Sequence, residues 1–256
     1  MIPLRDSVPS RTTPIVSYLM IAICSLVFIV QLTAEDSGDS IIKRYGLVPA
    51  RLSHPSAELV LQQRIRLQTP RGVEERIVHE ALPPLAVPPW LTLISCMFLH
   101  GGWMHLLGNV WFLYVFGDTV EDRMGHFGFA ALYLGTGVAA GLAHYATDSE
   151  AVVPTIGASG AIAGVMGAYA WFYPTARVQA ILPLFVIIQV IVLPASIFLG
   201  IWFAIQAFSG IAASASGQVA GVAWWAHIGG FVAGSLGALA LGRTHHCREA
   251  VTDRRF

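Results

Sequence analysis

The run VQAILPLFVIIQVIVLPASIFLGIWFAIQAFSGIAASASGQVAGVAWWAHIGGFVAGSLGALALG, residues 178–242, contains no Asp, Glu, Lys or Arg. Two further stretches are equally bare, between Glu80 and Asp118 and between Arg123 and Asp148. Each is long enough for an apolar helix of roughly 20 residues, the length that crosses the ~30 Å hydrocarbon core of a bilayer. Charged residues make up 12% of the 256-residue chain, and mean hydropathy is +0.64. A soluble domain carries about 25% charged residues, and so few charges cannot cover a water-exposed surface. The chain therefore reads as an all-α polytopic membrane protein, one membrane-embedded domain over residues 1–256.

Working outward from that run, six spans are expected: Pro14–Thr33, Trp90–Phe116, Phe127–Thr147, Ser159–Tyr173, Leu193–Ala212 and Val219–Leu241. The first is longer than the apolar region of a signal peptide and lacks a clear cleavage site, so it reads as a retained span. Residues 178–192, punctuated by Pro183 and Pro194, either extend the fifth span or lie along the interface. A seven-span count is the competing topology. The long polar segment 35–89 forms a loop between helices 1 and 2 and leaves through Pro83, Pro84, Pro88 and Pro89. Alternation over 58–68 suits either a small hairpin or an amphipathic surface segment. Asp118, Glu121, Asp122 and Arg123 read as a cytoplasmic loop.

Orientation follows from Lys and Arg in the loops. With the N-terminus inside, Arg5, Arg11, Arg123, Arg177, Arg243, Arg248, Arg254 and Arg255 all fall on the inner side. The short outer loops near 148–155 and 213–218 receive none, while the long outer loop holds the other seven, a loop length that obeys the rule less strictly. Both termini, including the tail 243–256, are then cytoplasmic. Net charge is zero, which gives no electrostatic case for nucleic acid. Cys24, Cys96 and Cys247 make neither a disulfide framework nor a zinc pair.

Polar side chains in lipid are costly and mark function by default. His100, His105, Asn109 and His227 stand out, together with Ser159 in Gly157-Ala158-Ser159-Gly160. Fifteen residues from Ser159 to Tyr173 rise only about 22 Å, short of the bilayer core, so the fourth helix begins below the membrane surface. Its free amides and positive dipole end suit a developing oxyanion. For Ser159 the competing reading is close helix packing, since Gly160 and Gly164 form a small-residue ridge. His227 is followed by Gly230 and Gly234, a second such ridge, and a histidine there can be a general base or a structural hydrogen-bonder. In the N-inside arrangement His100, Ser159 and His227 fall at similar depth below one face, which points to one shared cavity. His105 and Asn109, four apart, share a helix face and can donate to an oxyanion. His100 reads as structural.

These residues carry a resemblance. His100-Gly-Gly-Trp-Met-His105-Leu-Leu-Gly-Asn109, then Gly157-Ala158-Ser159-Gly160, then Ala226-His227-Ile-Gly-Gly230 with Gly234 resemble the three motifs of the rhomboid intramembrane serine proteases. Arg44-Tyr-Gly-Leu-Val-Pro-Ala50 resembles the start of the first outer loop in many bacterial members. The resemblance implies a six-helix rhomboid bundle in a bacterial cytoplasmic membrane, with Ser159 as nucleophile and His227 as general base. No Asp completes the pair and no cofactor or metal is needed. It further implies an oxyanion hole from His105, Asn109 and the Ser159 amide, a backbone-shaping Gly157 and a structural His100. Substrates would be single-pass membrane proteins entering from the bilayer past the fifth span and loop 213–218. Two departures stand out. Ala163 occupies a position where some members pack an aromatic ring on the histidine, leaving Trp224 or Trp225 to supply that packing. The Trp-Arg pair of some first loops is missing, so the resemblance supplies no structure for 35–89.

Rival readings are weaker. A metalloprotease using His100, His105 and His227 lacks His-Glu-x-x-His and any carboxylate ligand in the spans. An aspartyl protease lacks a mid-span Asp. A transporter would show an internal repeat, and none is visible. A catalytically silent relative that binds membrane clients would typically lack the serine or the histidine, and both are present.

Overall fold

The computed structural model describes residues 1–34, 38–69, 72–184, 187–216 and 222–241. The tail 243–256 and part of loop 213–218 lie outside these residues. In chain order the elements are β1 (Ile2–Asp6), α1 (Ile15–Thr33), α2 (Gly38–Tyr45), α3 (Pro49–Ser53), β2 (Val60–Thr69) and β3 (Gly72–Ala81). Then come α4 (Thr92–Ser95), α5 (Trp103–Thr147), α6 (Ser159–Phe172), β4 (Arg177–Leu184), β5 (Ile187–Pro194), α7 (Ala195–Ser216) and α8 (Trp224–Leu241). Helix dominates, and α1, α5, α7 and α8 are each long and apolar enough to cross a bilayer. The chain is an integral membrane protein.

Forty-five residues of helix would rise about 68 Å, twice the bilayer core, but α5 is not continuous. Gly125 takes φ 71° and ψ 164° and joins two helices at a kink. The acidic residues just before the kink are helical rather than a loop, which corrects the sequence reading. Glu121 is fully buried because it caps α1. Its carboxylate accepts the amides of Val16 and Ser17, both at 2.8 Å, and the Ser17 hydroxyl at 2.7 Å. His126 Nδ1 lies 2.6 Å from the same carboxylate. An anion over the first free amides of a helix satisfies both their hydrogen bonds and the positive end of the helix dipole. This cap ties α1 to the kink.

The second span also starts later than its hydropathy suggests. Residues 89–98 form short turns around α4, Leu99 is extended, and the long helix begins only at Trp103. Here Gln31, buried on α1, clamps the backbone of His100. Its oxygen accepts the His100 amide at 3.0 Å and its amide donates to the His100 carbonyl at 3.0 Å. Apolar composition marked this segment as lipid-compatible, but its backbone bonds go to turns and to α1.

Two sheets complete the fold. Residues 178–184 and 187–192 are strand and do not extend the fifth span as helix. β4 and β5 form an antiparallel hairpin, and β1 adds to β4 with Ile2 opposite Ile181. The β-branched run Ile187-Ile188-Gln189-Val190-Ile191-Val192, ending at Pro194, favours strand over helix, and the seven-span count loses its extra helix. β2 and β3 pair as a second antiparallel hairpin, which decides between the two readings of 58–68.

α6 sits at the centre, with residues Gly160–Tyr169 all buried. Its fourteen residues span about 21 Å. Small residues let its neighbours touch its backbone. A Cβ on Gly230 would collide with the Gly160 carbonyl oxygen, and one on Gly234 with that of Gly164. The two glycine ridges therefore face each other between α6 and α8, and Gly164 accommodates Thr136 of α5 on another side.

Candidate active site

Ser159 is the first residue of α6, and His227 lies in the first turn of α8. The α6–α8 contact brings His227 Nε2 to 2.8 Å from Ser159 Oγ. His227 stands close to the start of its helix rather than eight residues into a span, because the described helix begins at Trp224. α6 is only fourteen residues long.

Just ahead of the serine, Gly157 adopts φ +120°, a left-handed conformation that side chains disfavour. A Cβ there would also meet His105 Nε2 at 2.6 Å. Glycine at 157 is thus required by the turn into α6 and by the ring packed on it. His105 and Asn109, one turn apart at the start of α5, line a cavity of about 220 Å³ with Ser159, Phe112, Met166 and Trp202. Asn109 is 8% exposed, and its Nδ2 has no hydrogen-bond partner among the described residues. A buried unsatisfied donor costs about 1–3 kcal/mol. Asn109 and Ser159 line the same cavity, so an acceptor entering it could satisfy this donor.

His100 is 1% exposed. It sets its ring edge-on to His105, with centroids 5.2 Å apart, and places Nδ1 3.3 Å from the Phe98 carbonyl. Together with the Gln31 clamp, this makes it a strut behind His105. Gly160, Gly230 and Gly234 act through the backbone contacts described above.

The packing of His227 answers the question raised by Ala163, which is fully buried within α6. Trp224 meets the imidazole edge-on, centroids 6.3 Å apart at 87°, and Trp202 of α7 lies against it at 6.0 Å and 35°. Trp225 instead donates to Ser214 Oγ at 3.2 Å. Behind the ring, His227 Nδ1 lies 2.7 Å from Gln206 Oε1. The sequence reading missed Trp202 and Gln206. Gln206 carried a usable signal, since it is an amide within a charge-free apolar helix. Among the described residues no three His, Cys, Asp or Glu side chains are grouped to hold a metal ion.

The Rhomboid domain family model matches residues 88–244, which include every residue of the constellation. The chain is 31% identical over 158 residues to Rhomboid protease GluP of Bacillus subtilis (strain 168), covering 62% of this chain and 27% of that protein. It is 41% identical over 78 residues to Rhomboid-like protein 11, chloroplastic, of Arabidopsis thaliana, covering 30% of this chain and 28% of that protein. RHOMBOID-like protein 4 of the same plant is 30% identical over 161 residues, or 60% of this chain and 35% of that protein. In each case the match spans well under two thirds of the relative's length.

Proposed function

Because the chain belongs to the rhomboid family, we propose that it is an intramembrane serine protease cleaving single-pass membrane proteins through Ser159 and His227. The observation that carries this reading is the 2.8 Å approach of His227 Nε2 to Ser159 Oγ beside a cavity that is also lined by Asn109, whose Nδ2 has no partner among the described residues. Ser159 Oγ attacks the scissile carbonyl carbon while its proton passes to His227 Nε2. The carbonyl oxygen becomes an oxyanion facing Asn109, His105 and the amides at the start of α6. Collapse breaks the C–N bond, and His227 returns the proton to the leaving nitrogen. Water, deprotonated by His227, then hydrolyses the acyl-enzyme.

In this reading six segments cross the bilayer: α1, the two halves of α5, α6, α7 and α8. Both termini are cytoplasmic, in a bacterial inner membrane. The shortness of α6 supports a water-filled cavity at the outer face, since a helix end without water or protein partners is not tolerated in lipid. The substrate enters from the lipid side past α7.

The test is cleavage of model single-pass substrates in liposomes by the wild type and Ser159→Ala. Cleavage by the wild type alone is expected. Equal cleavage by both removes the serine mechanism. No cleavage of a broad substrate panel by either favours a silent client-binding relative.

A further inference from the structure

Gln206 is the buried polar residue of a helix that otherwise presents Ile197, Ile201, Ile205, Phe208 and Ile211 outward. An amide is costly to place in an apolar span unless it is bonded, and the bond it makes is to the candidate base. Trp202 and Gln206 are four apart and so share one face of α7, and both contact the His227 ring. α7 therefore supports the imidazole from the side opposite Ser159.

We propose that Gln206 is a positioning residue that selects the catalytic tautomer of His227, in the place a carboxylate occupies in a Ser-His-Asp triad. The inference rests on the serine protease reading above. An amide oxygen can only accept a hydrogen bond, so the 2.7 Å contact places the proton on Nδ1. Nε2 is then left with a free lone pair, the state able to take the Ser159 hydroxyl proton across 2.8 Å. The opposite tautomer would put a hydrogen on Nε2 and present a donor to Ser159. The neutral amide fixes orientation without adding charge in a low-dielectric site, where an unpaired carboxylate is costly. Because Gln206 rides on α7, any displacement of α7 from α8 removes the acceptor from Nδ1 and links the position of this helix to the state of the base.

Among the described residues, the titratable side chains near His227 from the helices packed on it are His105 and His144, both on α5, and Ser159 lies on α6. Against that background a carboxylate at 206 is a sharp probe. The experiment follows covalent labelling of Ser159 by a fluorophosphonate as a function of pH, in the wild type, Ser159→Ala, Gln206→Leu and Gln206→Glu. Gln206→Leu should label about 10- to 100-fold more slowly, a smaller loss than the roughly 10⁴-fold effect of a wrong tautomer in serine proteases. Gln206→Glu should recover labelling and move the acidic limb of the profile to higher pH, because an anion beside Nδ1 favours the imidazolium. A merely space-filling role would leave Gln206→Leu, of similar volume, labelling at the wild-type rate, and that result would overturn the proposal. Labelling that survives in Ser159→Ala, or is absent from the wild type, would instead remove the serine reading itself. ¹⁵N spectra of histidine in the wild-type protein give a check that needs no variant at 206. A protonated Nδ1 on His227 is expected, and a protonated Nε2 overturns the assignment.

Discussion

His227 Nε2 and Ser159 Oγ, 68 residues apart in the chain, meet at 2.8 Å across the α6–α8 contact. A pair acting as one unit loses its function when either member is lost. Ser159→Ala and His227→Ala should each slow cleavage on the order of 10⁴-fold or more, and the double variant should be no slower than the worse single one. Single-turnover cleavage of a model transmembrane substrate measures this. Multiplicative losses would mean that the two side chains contribute separately.

Asn109 offers a buried donor with no partner among the described residues. If it meets the oxyanion, its contribution appears in the transition state and not in substrate binding. Asn109→Leu should lower kcat by about 10²–10³-fold with KM little changed. A rise in KM at constant kcat would place Asn109 in ground-state binding instead.

Gly157 holds a left-handed turn against the His105 ring. Gly157→Ala must strain the backbone and displace the ring, at a cost of about 1–3 kcal/mol. Lower thermal stability in detergent and slower fluorophosphonate labelling are expected together. Wild-type values for both would show that the turn and His105 relax freely.

Glycines on one face of α8 are not equivalent. A Cβ at Gly230 meets the Gly160 carbonyl, whereas a Cβ at Gly237 meets only Leu132 Cδ1 at an ordinary 3.8 Å. Gly230→Ala should destabilise by about 1–3 kcal/mol and slow labelling, because α8 must move away from Ser159. Gly237→Ala should be close to neutral. Unfolding midpoints of the two variants, compared side by side, decide the matter.

Asp6 lies in β1, outside the spans. Burial pushes its carboxyl up to about 6, while hydrogen bonds from the Tyr169 and Thr119 hydroxyls, at 2.6 and 3.1 Å, act in the opposite direction. The folded state therefore holds this proton more tightly than the unfolded chain, whose value lies near 3.8. The stabilising contribution is full below about pH 4 and is lost as pH rises through 6. Asp6→Asn, which keeps an acceptor for Tyr169, should flatten that part of the stability–pH curve and leave the protein at least as stable at pH 7. Melting temperatures between pH 4 and 7 provide the measurement, and an unchanged slope would falsify the assignment.

Much of the molecule was already visible in the chain. Long stretches without charge determined a membrane protein, because a hydropathy sum depends only on local composition. The residues of the candidate site announced themselves by the same physics, since His105, Asn109 and His227 are polar groups in segments that lipid would otherwise claim. Facing glycines at 160, 164, 230 and 234 announced close helix contact. Only the tertiary structure decided the rest. The stretch from Trp90 is as apolar as a span, yet its helix waits until Trp103 because the backbone at His100 bonds to Gln31. The apolar run 178–192 pairs as strands because β1, more than 170 residues earlier in the chain, supplies a partner edge. Gln206 becomes the support of His227 only when α7 docks on α8. Hydropathy says which medium a residue prefers. Which partner satisfies each buried donor and acceptor is settled by the packing of helices distant in sequence, and there the pairing of Ser159, His227 and Gln206 is made.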